Sequence, residues 1–293
     1  MKDSNNMTKI KSDRFEEIQI NGNLYRVGEK IGDEHIYNLF TAKSKKPSNY
    51  VIKINIGKTR KERFENEILT LSSIKTNSII KIVKDGNIVY SNTNHNDRYR
   101  YYVTKKYDCD FREVMNEKMT INQKLQLFLQ MCRSVKYIHK RNIIHRDIKP
   151  ENFLYDRKRK KVILCDFGIS KDFKKNNNLT LSSEKIANSN YCSPEQRKKG
   201  NKNFGYYTDI YALGIILNEL ITNESGYGIN YKRVFDVDPS FGELDNVIDR
   251  MIAYNFKERE NNINNVIYSI NKIIKNKSKE IAIHKRNKRH WER

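Results

Sequence analysis

Two short stretches hold the residues whose types and spacing could do chemistry. They are His145-Arg146-Asp147-Ile148-Lys149-Pro150-Glu151-Asn152 and, downstream of a hairpin-like spacer, Asp166-Phe167-Gly168. Together they supply a carboxylate base (Asp147), a cation (Lys149), an amide (Asn152) and a second carboxylate (Asp166). That set suits phosphoryl transfer from ATP, in which catalysis is mostly positioning and charge stabilisation around the transferring group. A lone Asp or Asn is more often a turn residue or a helix cap. The co-occurrence of the whole octet with Asp-Phe-Gly sets that reading aside.

Two kinds of element must hold these residues. From Ile18 to about Lys106 the chain reads as strands: Tyr25 to Val27, Tyr37 to Ala42, Tyr50 to Ile54, Ile88 to Tyr90 and Tyr101 to Thr104 are short apolar runs separated by polar turns. One of those turns is Asn92 to Arg98. Phe64, Glu67, Ile68 and Leu71 recur at helical spacing and predict one helix among the strands. From Phe111 onward the pattern is helical. Ile121, Leu125, Phe128, Met131, Val135 and Ile138 mark a long amphipathic helix that stops just before the octet. Asp209 to Ile221 is apolar almost all round, as a helix buried in a large core would be, and further helices are expected from Phe241 to Tyr254 and from Asn261 to Asn276. The expected fold is α+β and two-lobed. It comprises a polar leader (1–17), a strand-rich lobe with one helix (18–106), a mainly helical lobe (107–275) and a basic tail (276–293), with the lobes joined near Lys105 to Tyr107.

Length and composition bound the rest. A chain of 293 residues is long enough for two substantial cores. The net charge of +22 raises nucleic acid, anionic lipid or acidic partners, but the lysines are spread along the chain, so a composition bias toward Lys, Asn and Ile is the simpler account. No apolar segment follows the lysines at the N-terminus, which excludes a signal peptide there. The longest apolar run, within Ile210 to Leu217, falls short of a membrane span. The expectation is a cytoplasmic chain. Cys109, Cys132, Cys165 and Cys192 have neither Cys-x-x-Cys nor metal-ligand spacing and read as reduced thiols. The tail from Lys275, with Trp291 as a stacking residue, offers a nucleic-acid site, but a solvated tail explains it as well.

The octet, Asp-Phe-Gly, Val51-Ile52-Lys53 and Ser193-Pro194-Glu195 resemble the motifs of the protein kinase family, over about residues 25 to 275. The resemblance implies ATP and Mg²⁺ as cofactors and proteins as substrates. It gives Asp147 the substrate hydroxyl proton, Lys149 the transferring phosphate, and Asn152 and Asp166 the metal. Lys149 at its place is characteristic of Ser/Thr kinases. Lys53 would contact the ATP α- and β-phosphates and pair with Glu67, for which Glu62 and Glu65 compete. Ile31, Gly32, Leu39, Val51, Thr104 and Lys106 would line the nucleotide site, with Thr104 as gatekeeper and Lys105 to Tyr107 as hinge. Glu195 would form a buried ion pair with Arg259. Asp209 would hold the backbone of the octet, a role compatible with capping its helix. Arg146 calls for an anionic partner, which a phosphate on Thr180, Ser182 or Ser183 would provide through autophosphorylation, and self-association would allow this in trans.

The sequence also departs from the family. Of the nucleotide loop's three glycines only Gly32 survives, and Glu34 puts a carboxylate near a polyanion. Asn188 replaces the threonine expected before Tyr191. These departures support a rival reading, a pseudokinase scaffold with little or no catalysis. The retained Lys53, Glu67, Asp147, Asn152 and Asp166 oppose it, since a scaffold has no physical need for all five. In composition the chain resembles stand-alone cytosolic kinases of low-GC bacteria, including the staphylococcal type associated with phage defence.

Overall fold

The computed structural model describes residues 14–31, 38–44, 49–56, 61–91, 96–172, 190–198, 204–224 and 231–291. The chain divides into two compact units, residues 1–107 and 108–293.

The first unit is built on β1 (Ile18–Ile20), β2 (Asn23–Ile31), β3 (Asn38–Lys43), β4 (Tyr50–Ile54), α1 (Lys61–Ser73), β5 (Ile82–Ser91) and β6 (Asn96–Lys105). The strands form one antiparallel sheet in the order β1-β2-β3-β4-β6-β5. Because side chains alternate along a strand, β4 and β6 are divided between two jobs. Ile52 pairs with Val103 and Ile54 with Tyr101, and these four join Phe15, Phe40 and Ile88 in an apolar core. The intervening residues Val51, Lys53, Tyr102 and Thr104 point to the opposite face. Helix α1 covers that face, burying Phe64, Glu67, Ile68 and Leu71 along one stripe, with Phe64 stacked on Tyr102 at 5.3 Å. Strand β6 begins at Asn96, inside the stretch expected as a polar turn, because Arg98 and Asp97 pair across to Val89 and Tyr90.

The second unit contains β7 (Cys109–Asp110), α2 (Phe111–Met115), α3 (Ile121–His139), β8 (Ile143–Ile144), β9 (Phe153–Asp156), β10 (Lys161–Leu164), β11 (Lys171–Asp172), α4 (Pro194–Arg197), α5 (Tyr206–Thr222), α6 (Val234–Val237), α7 (Glu243–Ile252) and α8 (Ile263–Trp291). Helix α3 starts at a capping box: the Gln123 N–H donates to Thr120 Oγ1, and the Thr120 N–H donates to Gln123 Oε1 at 2.9 Å. Its apolar stripe, Leu125, Phe128, Val135 and Ile138, is fully buried. Helix α5 is buried nearly all round, as its composition predicts, and ends at Asn223 in the left-handed conformation (φ 56).

Two helices differ from expectation. The segment expected as a helix over 241–254 is a 3₁₀ turn at Pro239–Phe241 followed by α7, since Pro239 and Gly242 start the α-helix late. Helix α8 runs on through the expected basic tail to Trp291. The stretch has no Gly or Pro, and its Lys, Glu and Arg residues are good helix formers. Among the described residues no helix is long and apolar enough to cross a membrane.

Candidate active site

In the first unit, strand register gathers most of the candidates. Ile31 lies opposite Leu39, Leu39 opposite Lys53, and Lys53 opposite Tyr102. Val51 lies opposite Thr104. Directly opposed residues share a face, and so do residues two apart, so one face of the sheet carries Ile31, Leu39, Val51, Lys53 and Thr104. Glu67 reaches them from α1. The Lys53 ammonium donates to both Glu67 oxygens at 3.0 Å, in a pair whose carboxylate is wholly buried. The competitors fall elsewhere: Glu65 pairs with Arg100, and Glu62 is exposed in the first turn of α1. Lys106 is exposed, and its N–H donates to the Asn49 carbonyl. Gly32 and Glu34 lie outside the described residues.

In the second unit, a hairpin brings the two metal candidates side by side. Strands β9 and β10 pair Phe153 with Leu164, and the ladder continues as the Cys165 N–H donates to the Asn152 carbonyl at 2.9 Å. Asp166 therefore emerges at the same open end as Asn152. The Asn152 amide nitrogen donates to the Asp147 carbonyl (2.7 Å) and to Asp147 Oδ2 (3.0 Å). Lys149 Nζ lies 3.5 Å from the same Oδ2. Burial pushes the Lys149 ammonium down, but the charges of Asp147, Asp166 and Glu151 outweigh it and hold it above its ordinary value, so Lys149 stays cationic.

The loop carrying these groups is strained and clamped. Arg146 and Asp166 have left-handed backbones (φ 67 and 61), unusual for residues with a Cβ. The clamp is Asp209. Its Oδ1 accepts the Arg146 N–H and its Oδ2 accepts the His145 N–H, both at 2.9 Å, while His139 Nε2 sits 2.8 Å from Oδ2. Burial raises the Asp209 carboxyl, but the hydrogen bond and charge of His139, with those of His145, overcome it and leave it below the ordinary value. Asp209 does not cap its helix: α5 begins earlier, at Tyr206, after Gly205. The Arg146 guanidinium is buried and donates through Nε to the Ile169 carbonyl at 2.6 Å. Its expected phosphate partners, Thr180, Ser182 and Ser183, lie outside the described residues, as does Asn188.

The expected Glu195–Arg259 pair is bidentate (2.8 and 3.1 Å) and buried. Arg259 also donates to the carbonyls of Ala253 and Tyr207. Three residues that the sequence reading did not single out for these contacts also belong here. His139 braces Asp209, and Gln196 donates to the Arg146 carbonyl at 2.8 Å. Tyr102 donates its hydroxyl to Glu67 Oε1 at 2.9 Å. The signal for Tyr102 is its place two residues before Thr104 on the strand that faces Lys53, legible only once strands are paired. His139, in the last turn of α3, has no sequence signal pointing to Asp209, which lies far along the chain.

The donor chemistry of Asn152 and Asp166 fits Mg²⁺. Both offer hard oxygens, and Mg²⁺ is typically held by one or two carboxylates together with substrate phosphates and waters. With its nitrogen committed to Asp147, the Asn152 amide has its oxygen left to serve as a ligand.

Comparison with known proteins identifies the family. The protein kinase domain family matches residues 25–285. The chain is 28% identical over 274 residues to the serine/threonine-protein kinase Nek5 of Homo sapiens, a match spanning 86% of this chain and 36% of that protein. It is 30% identical over 238 residues to the serine/threonine-protein kinase Nek1 of Mus musculus, spanning 78% of this chain and 18% of that one. The chain thus spans well under half the length of these curated relatives. Among solved structures, the Mycobacterium tuberculosis PknI kinase domain superposes with a TM-score of 0.63 at 17% identity, over 87% of this chain and 98% of that one. The Cydia pomonella granulovirus kinase PK-1 gives 0.62 at 20% identity, over 83% and 92%. With a family match over residues 25–285, nearly its whole length, the chain belongs to the protein kinase family.

Proposed function

We propose that the domain is an active Ser/Thr protein kinase that transfers the γ-phosphoryl group of Mg-ATP to protein hydroxyls. The observation that carries this reading is the environment of Asp147. Asn152 and Lys149 both engage Oδ2, so Oδ1 is the oxygen that accepts the proton of the attacking hydroxyl. Lys149 then sits beside the incoming charge and stabilises it on the transferring group. Bound Mg²⁺, held by Asp166 and Asn152, would neutralise phosphate charge. Lys53, oriented by Glu67, binds the α- and β-phosphates, and Ile31, Gly32, Leu39, Val51, Thr104 and Lys106 surround the nucleotide. Protein substrates follow from the family, and self-association gives autophosphorylation within residues 170–189. The four cysteines form no disulfide, which fits a reducing compartment, the cytoplasm.

The test is incubation with γ-labelled ATP and Mg²⁺, comparing wild type with Asp147→Ala, followed by peptide mapping. Loss of label of about a thousandfold or more is expected, with wild-type label mapping to 170–189. Equal incorporation by both proteins would establish the scaffold reading instead. Label confined to other peptides would remove the activation-segment claim alone.

A further inference from the structure

Glu67 is the most exposed of the candidate groups to a physical contradiction. Its carboxylate is wholly buried, so it needs donors at all times. The cation it holds in this structure, Lys53, is also the group proposed to engage nucleotide phosphates. A buried carboxylate whose cation turns toward another anion loses much of what compensates its desolvation.

Tyr102 resolves this. It lies directly opposite Lys53 in the β4–β6 pair, so its side chain rises from the same face beside the lysine. Its hydroxyl donates to Glu67 Oε1 at 2.9 Å, sharing that oxygen with Lys53 at 3.0 Å. Its ring stacks on Phe64, one turn before Glu67 on α1, with centroids 5.3 Å apart and planes 29° off parallel. The Lys53 ammonium sits 5.7 Å from the centroid of the same ring. One side chain thus touches the helix, the carboxylate and the lysine, and it is itself 95% buried (5% exposed).

We propose that Tyr102 is a positioning residue for phosphoryl transfer. Its hydroxyl holds the Glu67 carboxylate in place when Lys53 reaches toward the nucleotide, and its ring fixes the lysine's path. The pair is therefore a triad in this chain. The proposal rests on the kinase reading given above for Lys53, but the contacts are made within the first unit alone.

The experiment is a cycle of Tyr102→Phe, Glu67→Gln and the double variant, read by Mg-ATP affinity in titration calorimetry and by turnover. Phenylalanine keeps the ring and its stacking and removes only the hydroxyl. Tyr102→Phe is expected to weaken Mg-ATP binding or lower kcat by about tenfold, the scale of one hydrogen bond to a charged group. In the Glu67→Gln background the same change should do less than twofold. An unchanged Tyr102→Phe protein would overturn the proposal, and so would an equal loss in both backgrounds, which would mean that the hydroxyl acts independently of Glu67. The calorimetric arm separates this from the kinase reading: a wild type that binds Mg-ATP without turning over would sink catalysis while still testing Tyr102.

Discussion

At the scale of single residues, three buried acids define how the molecule handles charge. Glu67 is met by Lys53 and Tyr102, Glu195 by Arg259 and by the Thr208 hydroxyl at 3.1 Å, and Asp209 by two backbone N–H groups and His139. Each is thus met by donors where it is buried. Glu195→Ala should therefore leave the buried Arg259 guanidinium without its counter-charge, at a cost of about 3–5 kcal/mol. Urea unfolding checks this, and a loss below about 1 kcal/mol would show that the carbonyls of Ala253, Tyr207 and Tyr254 suffice for Arg259.

At the scale of elements, the second unit depends on how closely α5 and α7 approach. Gly214 faces α7, where an added Cβ would lie 2.8 Å from Met251 Cβ and 2.7 Å from Ile252 Cγ2. The first of these atoms is tied to the backbone and cannot swing aside. Gly214→Ala would push the helices apart at about 1–3 kcal/mol, the range for overpacking a filled core, despite alanine's better helix propensity. A thermal melt equal to or above wild type would mean that α7 shifts freely. The contact matters to chemistry because α5 carries Asp209 at its start, and Asp209 fixes the left-handed turn at Arg146 next to Asp147.

At the scale of the whole molecule, acid acts on that clamp against a strongly positive background. The net charge of +22 at pH 7 grows as carboxylates protonate, and self-repulsion opposes compactness. The Asp209 carboxyl is depressed below its ordinary 3.8 in the folded protein. Its contribution is then complete above that value and is lost as pH falls through the depressed one. Asp209→Asn should be less stable than wild type at neutral pH, since an amide turns an N–H₂ donor toward backbone N–H groups. The gap should shrink as pH falls below about 4. Urea midpoints at pH 7, 5 and 3 measure it, and a gap constant with pH would remove Asp209 as the titrating group.

Sequence alone determined which groups are candidates for the chemistry and, through spacing, most of the helices and strands around them. Local rules suffice there: alternation for β4 and β6, a three-to-four repeat for α1 and α3, and motif spacing for Asp147, Asn152 and Asp166. Even long-range partners such as Lys53 with Glu67 and Glu195 with Arg259 were legible, because the family resemblance carries those pairings. What only the tertiary structure decided are contacts that depend on register and side-chain direction. Tyr102 meets Lys53 because two strands pair in one register, and a slip by one residue would turn it to the other face. His139 meets Asp209 because α3 and α5 pack together. Such contacts join residues far apart in sequence through packing, and packing leaves no spacing rule on the chain.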